Sequence, residues 1–180
     1  MIKKIALALV AVVLVLLVVV ALQPATFVIE RSTDISAPAA MIQPHIENLR
    51  AMNQWSPFAQ ADPEMKIIYS GPEAGVGAVS SWESAQMGDG RMTVVAVRPA
   101  QEVDFKLEFF RPFASTNRAL FTLAPAGGAT RVTWRMEGNN GFAGKAMSLV
   151  VDMDAMLGAE FEKGLASLKA LTEAQASASR

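Results

Sequence analysis

Residues 144–173 read GKAMSLVVDMDAMLGAEFEKGLASLKALTE. Met147, Val150, Asp154, Leu157, Phe161, Gly164, Leu168 and Leu171 follow steps of three and four, the spacing of one face of an α-helix. That face is apolar except at Asp154 and Gly164. At about 1.5 Å per residue, a helix over 144–173 runs roughly 40 Å, enough to cross a small domain. Its first half, Met147 to Leu157, is apolar around more of its circumference than its second half, Phe161 to Leu171. A helix of this kind covers something, and the preceding residues read as short strands in need of a cover.

Glu102 to Phe110 alternates Val103, Phe105, Leu107 and Phe109 against Glu102, Asp104, Lys106 and Glu108, so one face is buried and one is wet. Thr130 to Glu137 repeats the pattern with Val132, Trp134 and Met136. Strands are also expected at 65–69, 76–85, 91–97 and 115–123, joined by short Gly- and Pro-containing turns; Asp89-Gly90 predicts a hairpin. Thr26 to Ser36 is a first strand, with Arg31 interrupting its apolar face. Between it and the meander, 39–49 predicts one helix disturbed by Pro44, or two short ones, and 50–55 a further turn stopped by Pro57. The fold class is α+β. A curved seven-stranded antiparallel sheet wraps a long C-terminal helix, and the first strand pairs with the last. One helix cannot fill such a sheet, so a cavity between them is expected.

The first strand follows a run of different character. Ile5 to Leu22 holds eighteen residues with no polar side chain, after Lys3 and Lys4. As a helix it rises about 27 Å, just enough for a bilayer core. A retained transmembrane anchor and a signal peptide cleaved after Val19-Val20-Ala21 both fit this pattern. With an anchor, the lysines place the N-terminus in the cytoplasm, making a single-pass cell-membrane protein with its domain periplasmic or extracellular. The chain then divides into an anchor or uncleaved signal at 1–24, a domain at 25–173 and a flexible tail at 174–180.

Composition removes several chemistries. The chain has 180 residues, no Cys and a single His, His45, so thiolate sites and multi-histidine metal sites are excluded. The net charge is −1, and without Lys3 and Lys4 it becomes about −3, with basic residues scattered among acids. No face for nucleic acid is suggested. No cofactor and no metal are expected. Ten Met residues supply adaptable apolar surface.

Several words of sequence, in order, resemble the START-like superfamily, also called SRPBCC, and within it the polyketide cyclase/dehydrase-like group. They are Trp55-Ser56-Pro57-Phe58 with Asp62-Pro63, Tyr69-Ser70-Gly71, Gly75-Val76-Gly77, Ser81-Trp82-Glu83 and Gly90-Arg91-Met92. Pro99, Leu107-Glu108-Phe109, the run Thr130 to Met136, and Phe161 to Leu165 complete them. The resemblance implies a helix-grip fold around an apolar tunnel, in a superfamily that binds lipids, sterols, hormones or polyketides. It carries no universal catalytic motif.

The expected lining is Trp82, Phe105, Trp134 and Met136 from the sheet, with Met153, Asp154, Met156 and Leu157 from the helix. The same residues also suit ordinary sheet-to-helix core. The leading expectation is a membrane-tethered binding domain for an apolar small molecule or lipid. A cyclase- or dehydratase-like enzyme would need Asp154, Glu108 or His45 in the cavity, and no catalytic residue is assigned. A non-catalytic envelope interaction domain is the third reading. Oligomeric state is left open.

Overall fold

The computed structural model describes residues 1–179. In chain order its elements are α1 (Ile2–Ala21), β1 (Thr26–Ile35), α2 (Ala39–Ile42), α3 (Pro44–Glu47), α4 (Leu49–Trp55) and α5 (Pro57–Ala61). Then come β2 (Lys66–Ser70), β3 (Val79–Ser84), β4 (Gly88–Arg98), β5 (Glu102–Arg111), β6 (Ser115–Ala126) and β7 (Ala129–Asn139). Helices α6 (Phe142–Met147) and α7 (Met153–Ala178) close the chain. The sheet is seven-stranded and antiparallel, in the order β1-β7-β6-β5-β4-β3-β2, so the first strand pairs with the last as expected. Register shifts at Asp89/Gly90 and Val94/Ala96 bend β4.

Alternation sets the two faces. Ile29, Met136, Ala119, Phe105 and Val94 lie opposite one another across five strands on the concave side, and all are buried. The convex side carries ion pairs. Arg118 bridges Asp104 and Glu137, Arg135 bridges Glu137 and Glu30, and Glu108 takes both Lys106 and Arg91.

Four expectations need correction. The C-terminal helix is not continuous. Residues 148–152 break it, Val150 faces solvent, and Asp152 caps α7 by accepting from the Ala155 N–H at 2.9 Å. Residues 174–178, expected as a flexible tail, continue α7, with Ala176 buried; Arg180 lies outside the described residues. At 39–61 the alternative of two short helices broken at Pro44 holds, and α4 is capped by Asn48 through the Arg50 and Ala51 N–H groups; the correction is that Pro57, expected only as a stop, starts α5. Asp89-Gly90 is strand rather than turn. The hairpin bend falls at 85–87, where the Ser84 hydroxyl accepts from the Gln86 and Met87 N–H groups. Gly90 lies under the Trp82 ring, where a Cβ would come within 2.2 Å.

Helix α7 packs mainly along β1, with a smaller contact on β7 where Phe161 stacks on Trp134. Gly158 and Gly164 make this close approach possible. A Cβ on Gly158 would meet the Arg31 guanidinium at 2.0 Å, and one on Gly164 would meet Trp134 at 2.8 Å and Pro57 at 3.0 Å. Gly164→Ala therefore sets a helix-propensity gain of about 1 kcal/mol against an overpacking cost of about 1–3 kcal/mol. A net loss of stability is expected in urea denaturation, because the obstructing atoms belong to rigid rings; a stabilised variant would contradict this packing.

Candidate functional site

The space between the sheet and the second half of α7 is filled. Trp134 stacks on Phe161 with centroids 4.2 Å apart and planes 3° from parallel. Phe121 lies 4.9 Å from Trp134, and Trp55 meets both Phe121 and Trp134 edge-on at 5.8–6.0 Å. Phe58 closes the cluster edge-on against Trp134 and Phe161. The Trp55 indole N–H donates to the His45 carbonyl at 2.9 Å, so this polar group is satisfied inside the core. Phe105, Trp134 and Met136, three of the sheet residues proposed as lining, are buried within or beside this cluster.

The other end of the concave face is more open. It presents Trp82 from β3, Met92 from β4, Leu107 and Phe109 from β5 and Phe27 from β1, all half-buried. Trp82 meets Phe109 edge-on at 5.7 Å. Asn117 is the polar member of this surface; it is buried beside Gly138, and its Oδ1 has no partner. The openness follows from the break at 148–152. Because α7 starts only at Met153, nothing helical covers the first residues of β1. A groove of about 590 Å³ remains there, lined among others by Pro24, Phe27, Ile29, Val151, Met153 and Asp154.

The helix residues proposed from sequence therefore separate. Met153 and Leu157 are half-buried at this end, and Met156 is half exposed. Asp154 stands at the groove and is held by Arg31. The guanidinium donates to both Asp154 carboxylate oxygens at 3.0–3.1 Å, to the Asp154 carbonyl at 3.0 Å and to Glu162 at 2.9 Å. Arg31, the residue that interrupted the apolar face of β1, is thus the clamp that fastens α7. It keeps the Asp154 carboxyl below its ordinary range.

The other two acid–base candidates lie elsewhere. Glu108 is on the convex face, held below its usual range by Lys106 and then Arg91. His45 Nε2 pairs with Gln175 Oε1 at 2.8 Å, near the far end of α7. No three of the described His, Asp and Glu side chains converge as a metal-binding set. Leu107, Phe109, Met92 and Asn117 were not among the proposed lining. Alternation had placed Leu107 and Phe109 on the buried face of β5, whereas nothing local marks Asn117.

The depressed carboxylates predict an acid response. Arg131 lowers Asp34, Arg111 lowers Asp89, Arg135 lowers Glu137, and the Ser36 backbone N–H lowers Glu173, alongside Asp154 and Glu108. Each binds fewer protons when folded. The stability they contribute is fully present above the ordinary carboxylate range near pH 4 and is lost as pH falls through and below it. Tm is expected to be flat between about pH 6 and 8 and to fall steadily below about pH 4; a Tm unchanged to about pH 2 would contradict the ion-pair assignment.

This arrangement, a curved antiparallel sheet gripping a C-terminal helix with an open apolar end, defines a helix-grip protein. Residues 26–173 match the family described as polyketide cyclase / dehydrase and lipid transport, and the chain belongs to that family. No curated protein matches it. Among solved structures it resembles protein CV1439 from Chromobacterium violaceum, with 16% identity, TM-score 0.58 and coverage of 81% of this chain and 96% of that one. The Aha1 dimer from Colwellia psychrerythraea is similar at 17% identity, TM-score 0.58 and coverage of 82% and 96%. Ara h 8.0201 follows at 13% identity, TM-score 0.56 and coverage of 82% and 97%. At these identities the likeness concerns the fold.

Proposed function

We propose that this chain is a membrane-tethered binding domain for an apolar small molecule or lipid. The carrying observation is the half-buried apolar surface of Trp82, Met92, Leu107 and Phe109, with Phe27 of the same concave row lining the groove beside Met153. In this reading Phe105, Trp134 and Met136 are the packed floor, and Leu157 and Met153 form one wall. Asp154, fixed by Arg31, is the polar group at the rim. Family membership supports the reading, since hydrophobic-ligand binding is typical of these proteins. The tether is α1, twenty residues with mean hydropathy 3.1 over its most apolar window and almost wholly exposed. Its two lysines orient it with the N-terminus in the cytoplasm.

The test is organic extraction of the full-length chain purified from host membranes, with mass spectrometry of the released molecules. A stoichiometric apolar compound, depleted in Leu107→Trp, is expected. A ligand-free protein that also fails to bind hydrophobic fluorescent probes would overturn the reading.

A further inference from the structure

At the end of the sheet joined to α1, charge gathers on the β2–β3 side and is sparse on the β1-β7-β6 side. Five segments meet there by topology: 19–29 leading into β1, 138–151 from the end of β7 through α6, the β5–β6 bend at 112–117, the β3–β4 bend at 84–88, and 62–66 leading into β2, where Asp62, Glu64 and Lys66 sit near Glu83 and Arg111. In the first three of these, Lys145 is the one charged residue. Its ammonium donates to the Ala21 carbonyl at 3.1 Å, at the C-terminal end of α1, where a cation is favoured. Large apolar side chains there are open to solvent: Val150 is 80% exposed, Phe113 63% and Phe142 59%, and Met147 and Leu149 are exposed as well. Large exposed apolar side chains gathered at one end of a domain mark a contact surface.

The partner follows from the connection to α1. Only Leu22 to Ala25 separate α1 from β1. Four residues span at most about 14 Å. They are also pinned to the domain, since the Asn140 N–H donates to the Ala25 carbonyl at 2.8 Å and its side chain to the Pro24 carbonyl at 3.3 Å. With α1 across a bilayer, this end stays within about 14 Å of the hydrocarbon, at or just outside the headgroup zone, roughly 5–7 Å deep on each side. From this we infer that Phe113, Phe142, Met147, Leu149 and Val150 form a bilayer-docking face, resting on the tether reading above. The groove beside Met153 then opens against lipid, so an apolar occupant passes between membrane and domain without crossing water.

The absence of native Cys makes the test direct. The full chain carrying Val150→Cys, Phe113→Cys or, at the opposite end of the sheet, Gln101→Cys is labelled with an environment-sensitive fluorophore. It is then reconstituted in phosphatidylcholine vesicles, with and without nitroxide-bearing lipid. Blue-shifted emission at 150 and 113, with several-fold stronger lipid-borne quenching than at 101, is expected. Matching emission at all three sites in a chain that resists carbonate extraction would overturn the docking face and leave the tether standing. Release of the chain by carbonate would overturn the tether and the docking face together. All three positions are exposed, and unchanged circular dichroism verifies that the labelled chains are folded.

Discussion

Trp134→Ala is expected to remove about 3–5 kcal/mol of stability, the range for deleting a large aromatic from a packed core. The ring touches Phe161, Phe121, Trp55 and Phe58 at once. These neighbours come from α7, β6, α4 and α5, so no single element can move in to close the void. Urea denaturation would show a lower midpoint at an unchanged slope. Trp82→Ala is the comparison. Its ring is half-buried at the open end, already borders water on one side, and should cost distinctly less. Equal losses from the two substitutions would mean that the open end is as tightly packed as the cluster.

Met153→Trp is expected to weaken binding of a fluorescent fatty acid at least tenfold, equivalent to about 1.4 kcal/mol, with Tm little changed. Met153 is the first residue of α7 and lines the groove, and the indole would occupy the space an apolar ligand needs. The packing that secures α7, from Phe161 through Leu165 and Leu168, is untouched. Met156→Trp, three residues further along, falls on a half-exposed position outside the groove lining and should leave affinity near that of the parent chain. A folded Met153→Trp variant that binds as well as the parent would place the ligand elsewhere.

Much of the fold was legible because the concave face imposes a strict period of two. Val103, Phe105, Leu107 and Phe109 alternate cleanly, and the pairing of β1 with β7 followed from chain order. The break at 148–152 was not legible. Leu149, Val150 and Val151 continue a helical stripe without Gly or Pro, so periodicity alone extends the helix through them. Asp152 carried the correct signal, that of an N-cap, but an Asp beside a second Asp inside an apolar stripe does not announce it. Asp89-Gly90 misled for a different reason. Gly90 is required beneath Trp82, a contact between strands that no local rule registers.

The candidate site was legible only in part. Sequence placed Trp82 and Phe105 on the concave face of β3 and β5, where the structure also has them. It could not show that Trp55, from the short helices between β1 and β2, reaches the interior and fills the space under the second half of α7. Filling that region confines the open surface to the end near α1. Arg31 was visible as an anomaly on β1, but its role depends on Asp154 and Glu162, more than a hundred residues away.

The decisive measurement is photo-crosslinking of the membrane-reconstituted full chain with a diazirine-bearing fatty acid, followed by mass-spectrometric mapping of the modified residues. Saturable labelling at Trp82, Phe109, Leu107 and Met153, competed away by unlabelled lipid, is the expected result. Labelling that is absent, non-saturable, or confined to α1 and the convex face of the sheet would contradict a ligand-binding site at the open end of the helix grip.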